Sequence, residues 1–112
     1  MGNQEWIKEW KNRENGKSAN QKEKDFELYK AAEDEKWFTM KILLRVGATP
    51  DYVGEYGWTA YYCTLFMAKQ LNNQEAKKVL EKFDQKWKNE IEKNWTIWMA
   101  KETYFKAAQI IH

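Results

Sequence analysis

Residues 40–51 read MKILLRVGATPD, and residues 57–60 read GWTA. The first stretch joins the end of an apolar helical segment to a turn that holds Pro50. Gly47 can adopt the left-handed conformation in which many helices end. Thr59 offers a side-chain hydroxyl as N-cap to a following helix. These features predict two helices that are separated by a glycine-rich loop.

The helical pattern continues on both sides of this loop. Apolar residues at steps of three or four predict helices over about residues 25–32, 36–46 and 60–71. A longer pattern with the same steps runs from Glu75 towards Trp98 and predicts a long helix. No segment alternates for long enough to predict a strand, so we expect an all-α fold.

The N-terminal residues form a unit of their own. Over residues 3–13, two tryptophans and one isoleucine fit one face of a short helix. Residues 14–22 are polar and predict a mobile linker. We therefore expect an N-terminal helix with a flexible linker over 1–22 and a single helical domain over 23–112. The first helix either docks its tryptophans on the core or acts as a separate partner-binding peptide.

Several short motifs recur at positions that fit a repeat. Phe26 and Thr59 are 33 residues apart. The motifs in this region are Ala31-Ala32, Leu43-Leu44, Gly47-Ala48 and Gly57-Trp58-Thr59-Ala60. This arrangement resembles an ankyrin repeat that runs into a second one, over residues 26 to about 83. The resemblance implies ankyrin-like stacked helix pairs with an extended finger loop, capped by N-terminal and long C-terminal helices.

The chain departs from the ankyrin pattern in three places. Residues 59–62 read TAYY where the family usually has Thr-Pro-Leu-His, so the hydrogen bonds of that histidine are absent or replaced. Phe26 stands in the threonine position of the first repeat. No Gly-Ala turn follows the second repeat, so the array holds at most two repeats.

The sequence lacks the residue patterns of known catalytic and cofactor sites. It has one histidine, His112, and one cysteine, Cys63, which we interpret as a buried structural thiol. It contains no phosphate-binding loop, no dinucleotide glycine pattern and no zinc-ligand spacing. We therefore predict a protein that is not an enzyme and that has no cofactor and no metal.

Charge and hydropathy narrow the possible partners. Charged residues make up 32% of the chain, and their signs are mixed to a net charge of +2. A nucleic-acid-binding protein would show a basic stripe, so we expect no nucleic acid. No apolar run reaches the length of a membrane span, and the single cysteine allows no internal disulfide. These features predict a cytoplasmic protein that has no membrane partner.

Another protein is therefore the expected partner. The ankyrin resemblance implies binding through the finger and the first helix, and aromatic residues are common interface anchors. The predicted protein-binding residues are Tyr52, Val53, Glu55, Tyr56 and Trp58. The alternative is that these side chains fold back on the adjacent helices.

The mode of action remains open between three hypotheses. A small non-catalytic binder often acts by occlusion, which favours an inhibitor of a larger protein, of the phage anti-defence or immunity type. A scaffold or an effector ankyrin protein is the alternative. The third hypothesis is a homo-oligomeric structural protein with a homodimer interface through Phe83, Trp87, Ile91, Trp95 and Trp98.

Overall fold

The computed structural model describes residues 2–54 and 58–90 of the 112-residue chain. Within these residues the fold consists of helices and contains no strand. The helices are α1 Gly2–Asn15, α2 Ala19–Glu33, α3 Trp37–Arg45, α4 Ala60–Lys69 and α5 Gln74–Leu80. Residues 85–90 are also helical. The predicted all-α class is therefore confirmed for the part of the chain that is described.

The helix ends follow the local chemistry that the sequence predicts. Gly47 follows the last turn of α3 and has a φ of +97°, in the left-handed region where helices commonly terminate. The Thr59 hydroxyl accepts a hydrogen bond from the backbone N–H of Tyr62 at 3.1 Å and caps α4. The Asn73 side chain accepts from the N–H of Ala76 at 3.0 Å and caps α5. The predicted helix signals at Gly47 and Thr59 are therefore confirmed.

The connection between α1 and α2 is shorter than the sequence predicted. The Ser18 hydroxyl accepts from the backbone N–H of Gln21 at 3.1 Å, and α2 begins at Ala19. Serine followed by glutamine three positions later is a capping-box sequence. Only residues 16–18 separate the two helices, so the predicted linker over 14–22 contains the end of one helix and the start of the next.

The predicted long helix from Glu75 is interrupted after Leu80. The Asp84 carboxylate accepts from the backbone N–H of Lys86 at 3.1 Å. The backbone carbonyl of Asp84 accepts from the N–H of Trp87 at 3.0 Å. The prediction of one continuous helix was wrong, because Asp84 caps a new helical segment in the middle of the pattern.

The helices contact one another in two pairs. Helix α2 packs against α3, and α4 packs against α5. Helix α2 also contacts α4, and α3 also contacts α5. Each member of the first pair therefore touches one member of the second pair.

Helix α4 lies at the centre of the core. All nine residues from position 60 to position 68 are buried. The Trp58 ring packs edge-on against Phe66, with the centroids 5.6 Å apart. Tyr61 packs edge-on against Phe83 at 5.0 Å. Residues on both sides of α4 therefore close over it, which explains why a short helix is buried all round.

The tryptophans of the described residues mostly serve the core. Trp10 meets Trp87 edge-on at a centroid distance of 5.7 Å, and both side chains are buried. This contact docks α1 on the rest of the fold, as one of the two interpretations of the N-terminal helix expected. Trp37 is half-buried and packs against the core. Trp95 and Trp98 lie outside the described residues.

Candidate protein-binding surface

A groove lies between α2 and the loop that follows α3. Its volume is about 280 Å³. It is lined by Phe26, Tyr29, Lys30, Glu33, Tyr52 and Gly54. The groove combines the first helix of the helix pairs with the loop in which the sequence places the finger. We call it the aromatic groove and take it as the candidate protein-binding surface.

Three aromatic rings form the floor and one wall of the aromatic groove. Phe26 packs edge-on against Tyr52, with the centroids 5.2 Å apart and the planes at 77°. Tyr29 packs against the same Tyr52 ring at 5.1 Å. The Tyr29 hydroxyl donates a hydrogen bond to the Glu33 carboxylate at 3.0 Å. Phe26 is nevertheless 44% exposed, so an apolar ring is offered to solvent in a fixed position.

Gly54 allows the loop to approach the Tyr29 ring closely. A Cβ at this position would overlap the ring atoms of Tyr29, so the backbone fits there only without a side chain. The N–H of Gly54 donates to the carbonyl of Trp58 at 2.6 Å. This bond brings together the two ends of the segment 55–57 and fixes the base of the loop beside the aromatic groove.

The structure separates the residues that the sequence predicted as protein-binding. Val53 and Trp58 are buried at 8% and 4% exposure. Only Tyr52 among the three described residues keeps part of its surface exposed, and it lines the aromatic groove. Glu55 and Tyr56 lie outside the described residues. The described part of the predicted site therefore contributes one surface residue and two core residues.

A buried charge cluster holds the loop against the first two helices. The Lys17 ammonium lies 2.6 Å from Asp25, 2.5 Å from Asp51 and 2.8 Å from Glu14. The backbone N–H of Thr49 donates to Asp25 at 2.7 Å, and its hydroxyl lies 2.8 Å from Asp51. Asp25 is fully buried in α2. The cluster thus ties α1, α2 and the loop together, and it lies at the start of the loop that carries Tyr52.

The electrostatics of the cluster favour a charged Lys17. Partial burial lowers the pKa of Lys17, but hydrogen bonds to Asp25, Asp51 and Glu14 outweigh that effect and raise the pKa above its usual 10.5. Oxygens of the three carboxylates lie within 4.8 Å of one another, which is close enough to hold a cation. The Lys17 ammonium contacts all three and supplies the positive charge at that point, so the arrangement stabilises the fold.

The buried side chains of α4 do not offer a nucleophile. Cys63 is 2% exposed, and burial raises the pKa of its thiol, with a further contribution from the charge of Glu33. A buried, protonated thiol reacts slowly. Burial also raises the pKa of the Tyr62 hydroxyl. The predicted burial of Cys63 is confirmed, whereas His112 lies outside the described residues.

The predicted homodimer interface falls partly on core residues. Phe83 packs against Tyr61, and Trp87 packs against Trp10. Both residues are buried within the chain. The other three predicted members are Ile91, Trp95 and Trp98, and these lie outside the described residues. The two described members therefore offer little surface to a second copy.

Among the residues that line the aromatic groove, the sequence predicted Tyr52 as a binding residue but did not predict Phe26, the most exposed ring. Phe26 was interpreted as a replacement for a family threonine, and Tyr29 was not singled out within the predicted helix over residues 25–32. Their spacing of three residues was a usable signal, because it places two aromatic rings on neighbouring faces of one helix. The Lys17 cluster could not be found in this way, because its members come from three separate segments of the chain.

None of the family models, characterised proteins or solved structures compared with this chain matches it. Among the described helices, none has both the length and the apolar character that a membrane crossing requires.

Proposed function

We propose that this chain is a small, non-catalytic protein-binding module of the ankyrin type, and that it binds its partner through the aromatic groove. The observation that carries this proposal is the Phe26 ring, which is 44% exposed yet held in place by Tyr52. Aromatic residues fixed before binding lose little conformational entropy on association, and they are frequent interface hot spots.

The ankyrin-type assignment is supported by how the helices pair. The contacts of α2 with α3 and of α4 with α5 fit two consecutive helix pairs. The contacts of α2 with α4 and of α3 with α5 fit a stack in which like helices are neighbours. Buried Ala31 and Ala32 permit the close approach that such a stack needs. The hydrogen bond from Gly54 to Trp58 fits the base of a finger loop.

The composition of the aromatic groove suggests what the partner presents to it. The apolar floor suits an apolar or aromatic side chain of the partner. Lys30 and Glu33 stand at its edge with opposite charges and already pair at 3.3 Å. A mixed rim of this kind suits a protein surface better than a polyanion, because a polyanion would be repelled by Glu33. Binding of a larger protein here would occlude part of that protein's surface, which is compatible with an inhibitor and with a scaffold.

The test is a comparison of capture by three forms of the full chain. Wild-type protein, Phe26→Ala and Leu71→Ala are immobilised separately and exposed to a lysate of the source cell. Leu71 is a matched control, because it is also a partly exposed apolar residue, at 37%, but lies beyond the end of α4. We expect one protein to be retained by wild type and Leu71→Ala and to be lost from Phe26→Ala.

Folding of the variants is checked by thermal unfolding. Phe26→Ala should cost less than about 1 kcal/mol, since the ring is half-exposed. Equal retention by all three forms would contradict a role for the aromatic groove. Loss of the folded signal in Phe26→Ala would show instead that this ring serves the core.

A further inference from the structure

Helix α3 presents an apolar ridge on the side that faces away from the core. Phe38, Ile42 and Val46 are 74%, 42% and 55% exposed, and they follow one another at steps of four residues. Met40 and Leu43, on the opposite side of the helix, are buried. Three large exposed apolar side chains in one line form a continuous strip, which we call the α3 ridge, and such strips commonly mark interaction surfaces.

The two ends of the α3 ridge carry opposite charges. Asp34 and Glu35 are exposed and lie just before the N-cap residue of α3, next to the Phe38 end. That N-cap residue, Lys36, is also exposed, so this end keeps a net negative charge. Arg45 is exposed at the other end. The Lys24 ammonium also lies there, since it donates to the carbonyl of Val46 at 3.2 Å. The ridge thus runs from an acidic end to a basic end.

We infer that the α3 ridge is an interface between two copies of this chain, packed antiparallel about Ile42. Phe38 and Val46 each lie four residues from Ile42, so an antiparallel pair places Ile42 at the two-fold axis and Phe38 opposite Val46 of the other copy. The same pairing brings the acidic end of each copy to the basic end of the other. A surface that complements itself in both shape and charge is what a two-fold symmetric dimer requires.

The charge distribution favours a second copy over an anionic membrane. A membrane surface of that kind would attract Arg45 and Lys24 but would be repelled by the Phe38 end, where Asp34 and Glu35 outweigh Lys36. None of the residues of the α3 ridge lines the aromatic groove. The dimer would therefore carry two accessible grooves and bind a multivalent partner more tightly than a monomer would. The dimer does not depend on the proposed function, and either can fail without the other.

The first test is disulfide cross-linking of the full chain through Ile42→Cys. A residue at a two-fold axis faces the same residue of the other copy. The two thiols introduced at position 42 should therefore form a disulfide, and the variant should become a covalent dimer on mild oxidation. The wild type serves as a control because Cys63 is buried. Leu71→Cys is a second control, since it places a thiol on exposed surface away from α3. Cross-linking of Ile42→Cys alone supports the inference, and equal cross-linking of both variants overturns it.

The second test uses charge reversal and sedimentation over a range of concentrations. The double variant Asp34→Lys with Glu35→Lys makes both ends basic, and Lys24→Glu with Arg45→Glu makes both ends acidic. Each double variant alone should dimerise more weakly than wild type, because like charges meet at both ends. An equimolar mixture should restore dimerisation, because opposite charges then meet at both ends. The weakening relative to wild type reports the antiparallel pairing, because a parallel pair would already bring like charges together in the wild type.

The apolar centre of the interface is tested with Ile42→Asp. Two carboxylates at the axis should weaken dimerisation by about thirtyfold or more, the loss expected at an interface hot spot. Circular dichroism confirms that the variant is folded. The inference is overturned if wild type remains a monomer at the highest concentration, if Ile42→Asp dimerises like wild type, or if the charge-reversed mixture remains monomeric.

Discussion

Helices α4 and α3 are both apolar and of similar length, yet one is buried all round and the other on one side only. Every residue of α4 from position 60 to position 68 is buried. In α3, Met40 and Leu43 are buried, whereas Phe38 and Ile42 are exposed. The difference teaches that apolar content alone does not place a helix in the core. Its neighbours do: α2 and α5 contact both helices, but α4 is also covered by Trp58 and Phe83, whose rings pack against its side chains.

The loop between α3 and α4 is what joins the outer helix to the central one. Thr49 and Asp51 enter the buried charge cluster with Lys17 and Asp25. Gly54 packs against Tyr29 of α2. Polar contacts at one end of the loop and close packing at the other therefore fix the path of the chain from a half-exposed helix to a fully buried one.

The contrast between the two helices predicts the largest difference in stability. Phe66→Ala in α4 should lower the free energy of unfolding by about 3 to 5 kcal/mol, because it leaves a cavity beside Trp58. Phe38→Ala in α3 should cost less than about 1 kcal/mol, since its ring is mostly in water. Denaturant unfolding followed by circular dichroism measures both. Equal losses would show that α3 is as deeply packed in solution as α4.

The buried charge cluster predicts the next largest effect. Lys17→Met removes the only cation that contacts Glu14, Asp25 and Asp51 in the described residues. The buried Asp25 carboxylate then lacks a counter-charge, so we expect a loss of about 2 to 3 kcal/mol in the free energy of unfolding. Lys22→Met is the matched control on the exposed face of α2 and should change stability by less than about 0.5 kcal/mol. Similar effects of the two substitutions would contradict a stabilising role of the charge cluster.

The same cluster predicts a dependence on alkaline pH. The pKa of Lys17 is raised in the folded state, so protonation favours folding. Its contribution is fully present below the ordinary value of 10.5 and is lost as the pH rises through the higher folded value. The difference in the free energy of unfolding between wild type and Lys17→Met should therefore be constant from neutral pH to about 10.5 and should shrink at higher pH. A difference that does not shrink at alkaline pH would show that another group is responsible.

Local signals in the sequence predicted several features of the fold. Thr59 and Gly47 mark their helix ends by chemistry that acts within a few residues, and both were predicted. The outward orientation of Phe38 and Ile42 was not, because apolar residues occur nearly all round the α3 pattern. Which side is covered depends on distant helices, and periodicity carries no information about them.

The candidate site was predicted only in part, because its residues come from separate segments of the chain. Tyr52 was found because it lies in a glycine-rich loop with other aromatic residues. Phe26 was missed because its exposure depends on how the loop folds back over α2. Trp58 is in the core because α4 approaches it, and the sequence alone left both possibilities open. Contacts between neighbouring residues were predictable, whereas contacts between separate segments were not.

The close packing of the loop against α2 predicts an intermediate effect. Gly54→Ala places a methyl group where the Tyr29 ring lies, so the ring must move away from Tyr52. We expect a loss of about 1 to 3 kcal/mol in the free energy of unfolding, as is usual for overpacking, and a change in tyrosine near-ultraviolet dichroism. Gly16→Ala is the control, because a Cβ there meets only the Arg13 carbonyl oxygen at 3.6 Å. Unchanged dichroism in Gly54→Ala would mean that the loop does not pack on Tyr29.

The smallest expected difference is between two helix caps of similar chemistry. Thr59 caps the central helix α4 and is fully buried, whereas Ser18 caps α2 and is exposed. Thr59→Ala frees the N–H of Tyr62 where water cannot replace the lost bond, and should cost about 1 to 2 kcal/mol.

Ser18→Ala frees the N–H of Gln21 at the surface, where water can take over the bond. It should therefore cost only about 0.5 to 1 kcal/mol. Thermal unfolding of the two variants, measured side by side, checks the order. If Ser18→Ala were the more destabilising, burial would not set the strength of these caps. The contrast between the buried central helix and the outer helices would then not extend to their ends.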